Sequence, residues 1–495
     1  MKLNKTLTIE EAMAVVRFNE ELEFSSEAIE RVKRCTGLIE DSIKKNIPMY
    51  GVTTGLGANS TKNISQEDTK IYQEKILQSH AVSVGEPIKK KELRAILLMI
   101  ILNGIKGYSG VRIETLELIR NILNKDLYIF VPGSGSVGYL SLEAHIGLAL
   151  IGQGKIYKDG KFESSKEVLE ENGLKPLDLS YKEALFLISG TTCVTGYGLI
   201  AVYDAKNLLK NFEILSAMEI EVQEATTRLL DKRLMEVRSQ VEQREVADSI
   251  SDMLKDSEIC KKYYYEKLQD ALSIRCIPQL IGPVKKKINE AELTVLREMD
   301  SCTDNPIIYE ENGEVDVISG CNPDSSYIGL EMDCLSIALT MLGKMSDRRT
   351  FRLLDEKLSN KPAFLVENSG ANSGLMITQY TQAGLLNEMK INATSGVIDS
   401  IPTCANQEDY VSMGFNSSKK VLKQIENLNY ILAIELLCIY EANFFVDPTL
   451  KRASLSQRIY DKLNFVPRLK EDFKLHPYIE KISEILKDGE LINLI

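Results

Sequence analysis

The chain has no tryptophan and only three histidines, His80, His145 and His476, among its 495 residues. Histidines so far apart in sequence give a zinc site nothing to cluster on. The nine cysteines include no Cys-x-x-Cys pair, so their spacing writes neither a metal site nor a disulfide framework. They read as thiols of a reducing cytosol. A basic balance is missing too: 60 Lys and Arg against 71 Asp and Glu leave a net charge of -11. That excess of acid argues against nucleic acid or an anionic membrane surface as the main partner. The first eight residues lack the apolar core of a secretion signal. The most apolar late stretch, 430–445, is interrupted by Glu435 and Glu441 and falls short of a bilayer span. A soluble cytoplasmic protein with no membrane partner is expected.

What is present is helical pattern. Thr8-Ile9-Glu10-Glu11 has the form of a capping box that opens a helix. Helical periodicity returns over 71–82, 91–102 and 112–124, and long amphipathic runs cover 206–250 and 419–440. Ile328, Met332, Leu335, Leu339 and Leu342 step by four and three, one apolar stripe on a helix, with Asp324 and Ser325 where an N-cap belongs. The polar stretch 157–172 reads as a hairpin or excursion. Strand-like alternation is scarce, so the class is all-α, a long-helix bundle with a smaller mixed N-terminal region. Three regions are expected: 1–200, 201–420 and 421–495.

Glycine is concentrated where chemistry would sit. Tyr50-Gly51-Val52-Thr53-Thr54-Gly55-Leu56-Gly57 breaks any helix and reads as a mobile loop that carries a tyrosine. Arg275, between Ile274 and Cys276, is expected to be buried and so to need an anion, either a structural carboxylate or a ligand's. His80 in an apolar helical stretch reads as a core histidine or a ring contact. Glu408 reads as a helix cap, or as a partner for an imidazole N–H.

Several segments in order resemble the aromatic amino acid lyases, the family of histidine and phenylalanine ammonia-lyases. Tyr50 to Gly57 is similar to the family's lid loop, whose Tyr is the proposed base. Leu77-Gln78-Ser79-His80 with Val84-Gly85-Glu86-Pro87 resembles the strip lining the ring pocket. Leu185 to Thr192 matches with Ser189 in place of the family Asn. Gln269 to Gln279 matches the segment whose Arg holds the substrate carboxylate, with Leu272 in place of a family Tyr. Thr303-Asp304-Asn305-Pro306, Ser319-Gly320-Cys321-Asn322 and Ala405 to Met413 follow, the last in the histidine-lyase form with Glu408. The resemblance implies an ammonia-lyase/fumarase-like fold. It also implies a homotetramer acting on a small-molecule substrate, with each active site built from more than one subunit.

One departure stands out. The family's Gly-Ser-Val-Gly-Ala-Ser-Gly cyclises to a methylidene-imidazolone, whereas here Gly138 is followed by Tyr139, Leu140 and Ser141. The expectation drawn from this is a lyase with no cofactor, the methylidene-imidazolone not being formed. Such an enzyme needs a substrate that supplies its own leaving group. Set beside the histidine-type residues, that points to the ergothionases of the family, which eliminate trimethylamine from ergothioneine to give thiolurocanic acid. The alternatives are a lyase of another activated histidine betaine, or a silent homologue that binds an imidazole ligand. The expected roles are Tyr50 and Glu408 as catalytic groups, with His80, Tyr139, Ser189, Arg275, Asn305 and Met376 binding substrate and no metal. Tyr139 would offer its ring face to a cation, or fill vacated volume.

Overall fold

A computed structural model describes residues 1–4, 7–45, 47–62, 64, 69–312 and 314–495. Lys5 and Thr6, inside the N-terminal stretch read for a secretion signal, lie outside the described residues. Contacts divide the chain into two compact units. The first is Met1–Tyr203, Ala291–Met332 and Ser395–Lys419; the second is Asp204–Glu290, Asp333–Thr394 and Lys420–Ile495. This partition interleaves the sequence and differs in kind from the consecutive regions 1–200, 201–420 and 421–495.

The first helix of the first unit is α1 (Ile9–Phe18). Its capping box is complete: the Glu11 amide donates to Thr8 Oγ1 at 3.1 Å, and the Thr8 amide donates to Glu11 Oε2 at 2.8 Å. Then come α2 (Ser26–Lys44), α3 (Thr69–His80), α4 (Lys90–Gly104), α5 (Ile113–Asn124), α6 (Ser141–Leu150) and α7 (Glu183–Ile188). Every residue of α4 from Glu92 to Gly104 is buried, as expected of a helix apolar all round. The sheets are two-stranded. β1 (Val84–Pro87) pairs antiparallel with β2 (Pro132–Ser134), and β3 (Lys155–Lys158) forms a hairpin with β4 (Lys161–Ser164). β5 (Ile307–Glu311) pairs antiparallel with β6 (Glu314–Ile318).

The long helices are α8 (Thr192–Val222), α9 (Ile277–Met299), α10 (Ser326–Leu354), α11 (Met376–Asn392) and α12 (Gly414–Ala442). The expected stripe on α10, Ile328 to Leu342, is wholly buried, and Asp324 Oδ1 accepts the Ser326 amide at 2.9 Å. The long amphipathic run over 206–250 is broken: α8 ends at Val222, and helix returns at Lys232–Glu236 and Val241–Leu254. Glu224 adopts φ 50, and the Ala225 and Glu224 amides bond back to Ile220 and Glu221 at 2.9 and 3.0 Å. That is a Schellman stop made by a glutamate, so no glycine announced it. Two stretches, Glu183–Val222 and Gly414–Phe445, are long and apolar enough to cross a membrane. Their most apolar windows are 100% and 78% buried, which makes them core helices.

Inside the second unit, α8, α10 and α12 are tied by a buried ion pair. Arg349 Nε donates to Glu435 Oε1 at 2.6 Å, Arg349 Nη1 to Ser216 Oγ at 2.7 Å, and Ser346 Oγ to Glu435 Oε2 at 2.6 Å. Glu219 lies beside this pair, and burial holds its carboxyl above the usual carboxylate range.

Candidate active site

A cavity of about 1170 Å³ opens in the first unit. One wall is the loop at Tyr50. Met49 and Val52 pin that loop by packing with Cys35, Ile39, Ile43 and Ile308, and Gly51 supplies a positive φ of 67. Tyr50 thereby faces the cavity, and the Gly57 amide donates to its hydroxyl oxygen at 2.8 Å. Burial is the main influence on this phenol and raises its pKa. The Gly57 bond opposes the rise, while Glu408 and Cys404 add to it. The free site therefore holds Tyr50 protonated at neutral pH.

A second wall is α3. Tyr72, Lys75, Ile76, Ser79 and His80 all line the cavity, at the steps of three and four that share one helix face. His80 Nδ1 lies 2.8 Å from the Ile76 carbonyl oxygen, which as an acceptor fixes the tautomer with the proton on Nδ1. The other nitrogen, Nε2, is then the acceptor.

A third wall carries Tyr139. After Gly138 the backbone turns sharply at Leu140, with φ 74 and ψ -71. The Ser141 amide bonds to the Tyr139 carbonyl at 3.1 Å. This is the rare γ-turn of positive φ, which is strained for any residue with a side chain. The Leu140 carbonyl then accepts the Ala144 amide at 3.0 Å and so begins α6 without a side-chain cap. The Tyr139 hydroxyl reaches Glu408 Oε2 at 3.5 Å. The same carboxylate oxygen accepts Thr403 Oγ1 at 3.2 Å. Burial, then Glu408, push the Tyr139 phenol well up.

Asn305 also lines the cavity and is held on two sides. Its amide donates to Ser189 Oγ at 3.1 Å, and its Oδ1 accepts the Gly320 amide at 2.8 Å. Behind it, Lys182 and Asp304 form an ion pair with both side chains 0% exposed. In the first turn of α6, Glu143 is fully buried and accepts Thr192 Oγ1 at 3.1 Å and the Cys193 amide at 3.2 Å. Burial raises its pKa and lowers that of His145.

Six of the eight expected site residues thus share one cavity: Tyr50, His80, Tyr139, Ser189, Asn305 and Glu408. Arg275 is only half-buried and lines a separate cavity of the second unit, where its Nη1 bonds Gln269. Met376 begins α11, half-buried. Sequence reasoning missed Lys75, although the spacing Tyr72, Lys75, Ser79 was available to find it. It also missed Thr403, whose bond to Glu408 closes within a short loop. No group of three or more His, Cys, Asp or Glu is arranged to hold a metal among the described residues.

The model of the aromatic amino acid lyase family matches residues 7–464. A histidine ammonia-lyase of Symbiobacterium thermophilum is 38% identical, covering 99% of this chain and 97% of that protein. Among solved structures, the histidine ammonia-lyase of Trypanosoma cruzi has a TM-score of 0.92 at 30% identity, covering 100% of this chain and 94% of that one. The ergothioneine-degrading ergothionase of Treponema denticola has a TM-score of 0.91 at 24% identity, covering 100% and 99%. That last likeness is one of fold.

Two expectations fall here. Elimination of trimethylamine from ergothioneine is overturned, because the full-length relatives at 38% identity are named histidine ammonia-lyases and ergothionase stands further off at 24%. A lyase with no cofactor falls with it, since that idea rested on one segment while the likeness to histidine ammonia-lyases runs the length of the chain. The residues that follow Gly138 do not themselves offer the Ala-Ser-Gly associated with methylidene-imidazolone. Tyr139, Leu140 and Ser141 stand there, with Leu140 closed into the γ-turn. The chemistry of the site is accordingly derived from its side chains.

Proposed function

The chain belongs to the aromatic amino acid lyase family, and on that premise we propose that it releases ammonia from histidine or a close imidazole-bearing α-amino acid. It is a carbon–nitrogen lyase. The finer reading is carried by one arrangement: Tyr50, His80 and Glu408 face the same cavity. An imidazole N–H needs an acceptor, and the Glu408 carboxylate is one. The Tyr139 and Thr403 hydroxyls, donating to the same carboxylate, steady it for that role. Phenylalanine brings no N–H to this carboxylate, a cost that sets ring specificity.

In the reaction the Cβ–H and Cα–N bonds break and a Cα=Cβ bond forms. Tyr50 takes the β-proton. A substrate ammonium arriving beside it favours the phenolate and offsets part of the burial effect. Asn305, steadied by Ser189, presents its amide to the polar end of the substrate, and the Tyr139 ring forms a wall. The amine leaves as ammonia and the product is a conjugated acrylate. Self-assembly into a homotetramer in the cytoplasm is part of the proposal, supported by the exposure of Tyr265, Leu268 and Leu272 at 81%, 93% and 60%. Arg275 and Met376, outside the cavity of the first unit, enter the reaction only through such an assembly.

The test is ultraviolet absorbance of the purified protein mixed with histidine, phenylalanine or tyrosine. Growth of an acrylate band with histidine, well above the other two, is expected. No growth with any of them, at high enzyme concentration, overturns the reading.

A further inference from the structure

The ion pair of Lys182 and Asp304 takes no part in the chemistry above, yet both side chains are 0% exposed. A buried ion pair gains little stability over apolar residues of the same volume, so stability does not account for it. Lys182 precedes α7 in the left-handed region, with φ 65, a conformation that a lysine keeps only where its surroundings impose it. The next residue, Glu183, is clamped as well: Arg112 Nε and Nη2 donate to its two oxygens at 3.0 and 2.6 Å. Two ion pairs thus fix where α7 begins.

The other end of α7 reaches the cavity. Across its six residues the helix rises about 9 Å, and its C-terminal end holds two parts of the site. The Ile188 carbonyl accepts the Leu140 amide at 3.0 Å, next to Tyr139. Ser189 Oγ accepts the Asn305 amide at 3.1 Å, and that same amide donates to Asp304 Oδ1 at 2.7 Å. Asp304 Oδ2 accepts the Lys182 ammonium. One carboxylate therefore joins the start of α7 to the residue held at its end. Asn305 Oδ1 is already engaged by the Gly320 amide, so its NH2 group is what it offers a ligand. We propose that Lys182 is a positioning residue: through Asp304 it fixes the backbone of Asn305, and so sets where that NH2 group meets the substrate. Lys182 itself does not line the cavity. The proposal rests on the cavity being a substrate site.

A double-mutant cycle on the full-length assembled protein tests it, with Asn305→Ala as the second arm. Lys182→Met alone would strand the Asp304 charge. The variant used is therefore Lys182→Met with Asp304→Asn, which keeps an acceptor for the Asn305 amide. Its Tm should stay near that of wild type, while kcat/KM for histidine falls about tenfold or more. In the Asn305→Ala background the same pair of changes should cost less than about twofold, because the group being positioned is gone. Losses that multiply in full, or no loss in the wild-type background, overturn the assignment. Should the pair variant melt more than roughly 10 °C below wild type, Asp304→Asn alone replaces it on the same criteria. Loss of the fold in both makes the pair merely structural and overturns the assignment too. Failure of the lyase reading looks different: histidine yields no acrylate, yet calorimetric binding of histidine still shows the coupling between Lys182 and Asn305.

Discussion

The Tyr139 hydroxyl stands 3.5 Å from Glu408 Oε2, on the same oxygen that Thr403 approaches at 3.2 Å. Two donors on one oxygen hold the carboxylate in place, and the longer contact is the weaker. Tyr139→Phe is therefore expected to lower kcat/KM for histidine by less than about tenfold, because Thr403 still orients Glu408. Glu408→Gln should lower it by about a hundredfold or more, since the carboxylate charge is gone and an amide NH2 takes the place of one acceptor oxygen. Steady-state kinetics of the two variants decide it. Equal losses would mean that the phenol does more than steady Glu408.

Tyr50 gives a sign for the pH dependence. Burial holds its phenol above the ordinary value in the free protein, and a base works only when deprotonated. The active fraction then grows about tenfold per pH unit while pH stays below that value. Log kcat/KM should climb with a slope near one from about pH 7 to about pH 9, and Tyr50→Phe should abolish turnover. A flat profile over that range would exclude Tyr50 as the base.

Gly57 and Cys404 form a close contact between the loop and the Glu408 segment. A methyl group placed on Gly57 would lie 2.2 Å from Cys404 Sγ, at a backbone φ of +52. Gly57→Ala should cost about 1–3 kcal/mol of stability and displace the amide that bonds Tyr50. Adding Cys404→Ala removes the clash but not the φ strain, so only part should return. Thermal melts of the four proteins of this cycle measure the coupling; strict additivity would mean that the two residues do not touch.

Glu441 predicts a pH-dependent stability. Burial raises its carboxyl from 4.5 to about 7, so folding favours the protonated form. That contribution is complete below the ordinary carboxylate value and is lost as pH rises through about 7. Glu441→Gln stays neutral throughout. Relative to it, wild type should lose up to about 3 kcal/mol between acid and mildly alkaline pH, read as a falling difference in Tm. Parallel curves would place Glu441 in ordinary solvent.

Helix starts and apolar stripes were legible because they depend on residues three or four apart: the Thr8–Glu11 box and the α10 stripe are local facts. Six residues of the cavity were legible through motif resemblance. What stayed hidden was relational. Nothing beside Tyr50 in sequence says that the Gly57 amide will donate to it, or that burial will outweigh that bond. The end of α8 was missed because a glutamate, not a glycine, takes the left-handed turn. The substrate was misjudged for the opposite reason: one short segment was given more weight than likeness along the whole chain.

The interleaving of the first unit has a consequence for the order in which the protein is made. Tyr50, His80 and Tyr139 leave the ribosome in the first segment, Asn305 in the second, and Glu408 only in Ser395–Lys419. A nascent chain halted before that last segment has Tyr50 and the α3 face but not Glu408. The cavity is thus completed only when translation is nearly finished.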